Sequence, residues 1–114
     1  MPTQAQLENL NTAITQLRAA ENSLLVASRT TNDLVTLGQI NNEYSALDTI
    51  LSQILQAQLI SDDASFQIAA ATFKQEVATL GTQAAAISKI VTDVGTAASI
   101  AGAITNAATA IAAL

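Results

Sequence analysis

The sequence predicts an all-α protein made of a single domain, and two observations carry that prediction. Apolar residues recur at spacings of three and four along almost the whole chain, and no stretch alternates with the period of two that marks a half-buried strand. The chain has 114 residues, half of them hydrophobic, which suits one domain with its own core and is too apolar for a disordered chain. We therefore expect one helical domain over residues 1–114.

The first predicted helix covers residues 4 to about 27. Thr3 and Gln6 have the spacing of a capping box, in which each side chain serves a free backbone amide at the helix start. Glu21 falls on the apolar row of this helix, where it either pairs with Arg18 at the rim or marks the register inside an oligomer seam. We expect the rim position. The row consists of Leu7, Leu10, Ile14, Leu17, Glu21 and Leu24.

A second helix is expected to be capped by Thr30, which has capping-box spacing to Asp33, and to extend to about Ile60. Residues 27–33 contain no large apolar side chain, and the apolar row resumes beyond them out of phase with the first. Such a phase change indicates a bend, a stutter in a continuous helix, or a loop. The new row consists of Leu37, Ile40, Tyr44, Leu47, Leu51 and Ile54.

Residues 61–65 give the clearest turn signal of the chain. Ser61, Asp62 and Asp63 are expected to cap the following helix, because their oxygens accept hydrogen bonds from its first amides and the carboxylates suit its positive end. The apolar row then runs regularly from Phe66 to Ala101, so this helix could continue to the end of the chain. Gly81 and Gly95 are the possible breaks.

Two architectures fit this pattern. Residues 3–60 and 63–114 could be the two arms of a long antiparallel hairpin, each on the order of 80 Å. Alternatively, both arms fold again, near residue 30 and between Gly81 and Gly95, which gives a four-helix bundle. Eleven of the 13 Leu precede the turn and 17 of the 24 Ala follow it, a distribution that favours close packing of large side chains over small ones.

Ten positions on these rows are expected to lie in the core or in a seam between subunits. Ala101 in particular should lie beneath a backbone or a Leu of the helix packed against it. The ten are Leu24, Leu51, Phe66, Phe73, Leu80, Ile87, Val94, Ala101, Ile104 and Ile111.

The composition excludes most enzyme chemistry. The chain has no His and no Cys, so it lacks an imidazole base, a thiolate nucleophile and the ligands of a tetrahedral zinc site. We expect no catalytic residue, no bound metal and no cofactor. A net charge of −5 repels phosphate and makes nucleic acid an improbable partner. The N-terminus lacks the pattern of a secretory signal, which leaves the cytoplasm and leaderless export both open.

Three functions follow as hypotheses. The first is a non-enzymatic structural protein that self-associates through heptad-type packing, as the subunit of a filament or of a closed oligomer, with copies of itself or another helical protein as partner. The second is a membrane-inserting protein that uses residues 94–114, a stretch of 21 residues without a charge and of the length of a membrane span. The third is a monomeric four-helix module that binds another protein. We expect the first, and expect residues 94–114 to be buried in protein rather than in lipid.

Overall fold

The computed structural model describes residues 2–114, and all the regular structure in that range is helical. The connections between helices are short, and the prediction of an all-α protein is confirmed. The helices are α1 (Gln4–Thr30), α2 (Leu34–Ala57), α3 (Asp63–Gln75), α4 (Val77–Ile90) and α5 (Val94–Ala112).

The helices form an up-down-up-down bundle. The α3 and α4 segments act as one arm, because they are interrupted at Glu76 alone. The Glu76 amide donates to the Phe73 carbonyl and the Leu80 amide donates to the Glu76 carbonyl, each at 2.9 Å. In sequence order α1, α2, the α3–α4 arm and α5 are neighbours around the bundle, and α5 closes the ring against α1. The Gln6 Nε2 donates to the Leu114 backbone oxygen at 3.0 Å, which shows that α1 and α5 are antiparallel.

The bundle is the second of the two expected architectures. It is a rod of 48 × 20 × 19 Å with a radius of gyration of 14.6 Å, too short for hairpin arms on the order of 80 Å. Three-residue breaks at residues 31–33 and 91–93 fold each arm back. Both breaks end in an aspartate that begins the next helix, so side-chain capping competes successfully with helix continuation at these points.

Four of the five helices begin with a side-chain cap. The capping box of Thr3 and Gln6 is present at α1. Asp62 caps α3, and Asp63 is the first residue of that helix and accepts a hydrogen bond from Gln67 Nε2 at 3.2 Å. The expected cap at Ser61 is wrong, because Ser61 lies before the N-cap residue and is exposed. The longer Asp62 carboxylate reaches the free amide at Ser65.

The core is a single cluster that runs the length of the rod. Its largest fully buried side chain is Phe66, and Leu side chains of α1 and α2 meet Ile and Ala side chains of α5 and α4 within it. Close packing of large against small side chains lets neighbouring helices approach each other. The largest members besides Phe66 are Leu10, Leu17, Leu24, Leu47, Ile54, Leu80, Ile87, Ile100, Ile104 and Ile111.

The phase of α5 differs from the phase expected for an unbroken helix. Val94 is 81% exposed and Ala101 is half-buried, so neither lies in the core as expected. The break at residues 91–93 resets the helical phase, and the second buried row of α5 shifts to new positions. Those positions are Ile100, Ala103, Ala107 and Ala110.

Candidate functional site: an uncharged face of the bundle

Most of the charged side chains lie on the first three helices. Residues 1–76 hold eight of the nine acidic and three of the four basic side chains, which accounts for the whole net charge of −5. After Glu76 the only charged side chains are Lys89 and Asp93, and both lie at the same end of the rod beside the break at 91–93. The sides of α4 and α5 between the two ends therefore carry no charge.

The α4 and α5 helices pack against each other and form what we call the neutral face, comprising the exposed and half-buried positions of residues 77–88 and 94–113. A shallow groove of about 350 Å³ runs between the two helices on this face. Protein surfaces usually carry about a quarter to a third charged residues, so a face without any is unusual. The groove is lined by Val77, Gly81, Ile104, Thr105, Ala108, Thr109 and Ala112.

Small side chains make the neutral face smooth. A Cβ added at Gly81 would meet no heavy atom of the described chain within 4 Å, so the floor of the groove is open at this position. The Thr109 hydroxyl donates to the Thr105 carbonyl at 2.9 Å, which satisfies its polar group within the helix. A helix laid along this groove would contact methyl groups and backbone and would displace few polar contacts.

Exposed large apolar side chains lie towards the two ends of the rod. At the end formed by the breaks at 31–33 and 91–93, Leu34 is 82% exposed and Val94 is 81% exposed, each as the first residue of its helix. Towards the opposite end, Leu59 is 86% exposed and Ile68 is 70% exposed. Both ends therefore offer apolar contacts to another molecule.

A polar cavity of about 270 Å³ lies where the breaks at 31–33 and 91–93 meet, and Asp33 and Asp93 line it together with five threonines. Each carboxylate is held by the threonine three residues later, and these hydrogen bonds lower the pKa of Asp33 and of Asp93 below the usual 3.8. Among residues 2–114, no three acidic side chains come together as metal ligands would. The two aspartates act as helix caps.

The α1–α2 contact contains the one buried charged residue found among residues 2–114. Glu21 is 5% exposed, so the expected rim position beside Arg18 is wrong, and the residue instead lies inside the bundle's own seam. The Asp48 carboxyl of α2 lies beside it. Burial first, and then Asp48, raise the pKa of Glu21 to about 7.

The ten positions expected to pack or to form an interface separate into two groups. Eight of them are buried within the single chain, so their apolar surface is already covered without a partner. Val94 and Ala101 lie on α5 outside this core, with Val94 at the end of the rod. Sequence reasoning missed the neutral face, although the scarcity of charge after Glu76 was a usable signal.

One helix, α5, meets the length and composition of a membrane span. It has 19 residues, and a third of its most apolar stretch is buried inside the bundle. Its buried side packs against α1 and α4, which makes it a core helix of this fold as well.

The described surface of residues 2–114 offers apolar packing contacts. The neutral face and the two apolar ends are the features that distinguish it from an ordinary charged surface. No protein-family model, no curated protein and no solved structure matches the chain.

Proposed function

We propose that the chain is a non-enzymatic structural protein that self-associates side by side through the neutral face. The observation that carries this proposal is the absence of charge from the exposed positions of residues 77–88 and 94–113. The centres of protein interfaces are depleted of charged residues in the same way. The heptad rows support the proposal less than the missing charge does, because their apolar side chains are already buried in the core of the single chain.

Charge also favours a second copy as the occupant of this face. Each copy carries a net charge of −5, and that charge lies entirely on residues 1–76. Two copies that meet through their neutral faces keep their acidic helices apart, whereas a side-by-side approach through α1 and α2 brings carboxylates together. A single self-complementary face closes as a twofold dimer.

The apolar ends support growth beyond a dimer. If Leu34 and Val94 of one copy contacted Leu59 and Ile68 of the next, the contact would join two different surfaces of the chain. Contacts of this kind repeat without closing and produce a filament. The neutral face and the ends thus correspond to the closed oligomer and the filament of the first hypothesis.

Scattering and mass measurements over a wide range of protein concentration test the proposal. The monomer has a radius of gyration of 14.6 Å, and a dimer whose halves lie about 20 Å apart would reach about 18 Å. We expect growth towards the dimer value with concentration, and a doubled mass by light scattering. A monomer mass and an unchanged radius at every concentration would refute self-association and favour the monomeric protein-binding module.

A matched pair of variants localises the contact. Thr109 lies on the neutral face and Thr49 on α2, and each is an exposed threonine whose hydroxyl donates to the carbonyl four residues earlier. Thr109→Glu places a charge in the groove and should hold the protein as a monomer. Thr49→Glu should associate as the parent does. Equal behaviour of the two variants would exclude the neutral face as the contact.

The uncharged length of α5 supports a second candidate, insertion of this helix into a membrane. Insertion would remove Ile100, Ile104 and Ile111 from the core and expose the α1 side chains that they cover. Flotation with neutral lipid vesicles, followed by protease digestion, distinguishes the two functions. Protein that floats with α5 protected from protease would favour insertion, and protein that stays at the bottom of the gradient would exclude it.

A further inference from the structure

The contact between α1 and α2 places a buried carboxylic acid beside an exposed one. Glu21 lies on the core row of α1 between Leu17 and Leu24, both fully buried, and is itself 5% exposed. The Asp48 carboxyl of α2 is exposed and lies beside it. One Glu21 oxygen, Oε2, is buried without a hydrogen-bond partner among the described residues.

Two ionised carboxylates cannot occupy such a seam without cost. Both are acceptors when ionised, so a hydrogen bond between them needs one proton. Burial and like charge act in the same direction and favour retention of that proton by the buried member of the pair. Repulsion between the two carboxylates follows when the proton is lost.

The groups around the pair are few. Arg18 on α1 opposes the effect, but it contributes less than burial and Asp48 do. From α2, Tyr44 faces Glu21, whose charge is the first cause that raises the pKa of the tyrosine. Among residues 2–114, the only other helix packed against α1 is α5, which has no titratable side chain. Nothing on α5 can therefore neutralise a Glu21 carboxylate.

We propose that Glu21 and Asp48 share one proton across the α1–α2 seam and that loss of this proton loosens the seam. The pair acts as a proton-controlled latch within the bundle. Above neutral pH the α1–α2 contact weakens, while the α1–α5 contact, which holds no titratable side chain of α5, does not change with it. This inference concerns the seam and stands apart from association through the neutral face.

Tyr44 provides a direct probe, because the chain has one Tyr and no Trp. Tyrosine fluorescence is followed as the full-length protein is titrated from about pH 4 to pH 9, beside NMR of the glutamate carboxyl carbons. We expect a fluorescence transition near pH 7 and a Glu21 carboxyl signal that titrates with it. A Glu21 carboxyl that titrates near its ordinary value of 4.5 would overturn the proposal.

Variants separate proton sharing from simple packing. Glu21→Gln should abolish the transition, and Asp48→Asn should move it to lower pH because the neighbouring negative charge is gone. Glu8→Gln, an exposed change on the same helix, should leave it in place. Persistence of the transition in Glu21→Gln, or an unshifted midpoint in Asp48→Asn, would refute the latch.

Urea unfolding at pH 5.5 and pH 8 measures the loosening. The pKa of Glu21 is about 7 in the folded protein and 4.5 in the unfolded chain. Between pH 5.5 and pH 8, the unfolding equilibrium constant of the parent should therefore rise about thirtyfold more than that of Glu21→Gln. If Glu21 merely filled space, its replacement would change the stability by the same amount at both pH values. An equal pH dependence in the parent and in Glu21→Gln would therefore reject the proposal.

Discussion

Thr96 donates twice to one carboxylate oxygen of Asp93, from its backbone amide at 2.8 Å and from its hydroxyl at 2.6 Å. Asp33 and Thr36 make the same pair of bonds at the start of α2, and Asp62 and Ser65 make it at the start of α3. Three helices of this bundle thus begin with an aspartate followed three residues later by a hydroxyl side chain. The repeated cap holds each helix start where the chain reverses.

Loss of the Asp93 cap should destabilise the bundle. Asp93→Ala leaves the first amides of α5 without their acceptor, and we expect Tm to fall by about 4 °C. Asp93→Asn retains an oxygen that accepts hydrogen bonds from Thr96, so its Tm should fall by less than half as much as that of Asp93→Ala. Thermal unfolding followed by far-UV circular dichroism gives both values, and equal losses would mean that the cap contributes through charge alone.

A cavity in the α4 part of the core should have a large effect. Leu80 is fully buried, so Leu80→Ala should lower the free energy of unfolding by about 2–5 kcal/mol. Ile68→Ala removes a side chain that is 70% exposed and should change it by less than about 0.5 kcal/mol. Urea denaturation measures both. A small loss for Leu80→Ala would show that α4 is not packed in the core as described.

Overpacking should distinguish the buried row of α5 from the row expected for an unbroken helix. Ala107 is fully buried, so Ala107→Leu should cost about 1–3 kcal/mol of stability. Ala101 is half-buried and Ala98 is exposed, so Ala101→Leu should cost less and Ala98→Leu should be nearly neutral. Urea midpoints at low protein concentration measure the monomer alone. A larger loss of stability for Ala101→Leu than for Ala107→Leu would instead support the helical phase of an unbroken α4–α5 helix.

Stability should pass through a maximum on the acid side of neutrality. The Glu21 pKa is raised from 4.5 to about 7, so the folded state holds a proton that the unfolded chain releases, and stability falls as pH rises between these values. Burial raises the pKa of Glu43 and of Glu76 as well, so these residues also lower the stability as pH rises. Above about pH 7 the contribution of Glu21 should be constant.

The aspartate caps set the acid limit. Hydrogen bonds to Asp33, Asp62 and Asp93 lower their pKa below 3.8, so their contribution is complete above 3.8 and is lost as pH falls below it. Tm measured from about pH 2.5 to pH 8.5 should therefore be highest at about pH 4–5. A maximum above pH 7 would contradict the buried position of Glu21.

Much of the fold follows from local sequence, and the parts that do not have identifiable physical reasons. The rows that include Leu24, Leu51 and Leu80 predict buried helix faces because a helix must cover an apolar stripe somewhere. Whether the chain turns back at residues 31–33 and 91–93 depends on a competition between helix continuation and capping by Asp33 and Asp93. A continuous helix and a capped turn have similar local sequence patterns at these points, so the sequence alone did not distinguish the hairpin from the bundle.

The candidate site was harder to predict than the fold. The neutral face depends on which sides of α4 and α5 point outwards, and the phase of α5 is set by the break before Val94. Glu21 was expected at the rim because a carboxylate normally avoids a core row. Its partner Asp48 is 27 positions away in sequence, and only the packing of α1 on α2 brings the two together.

The closing contact of the ring, between α1 and α5, has a consequence for how the chain folds. Each of the other main helix contacts joins segments that follow one another, whereas this one joins the helices most distant in sequence. Because a ribosome makes the N-terminal part first, the apolar side of α1 must wait until α5 has emerged. During synthesis the nascent chain therefore keeps this apolar surface uncovered until the ring closes, and uncovered apolar surface promotes aggregation.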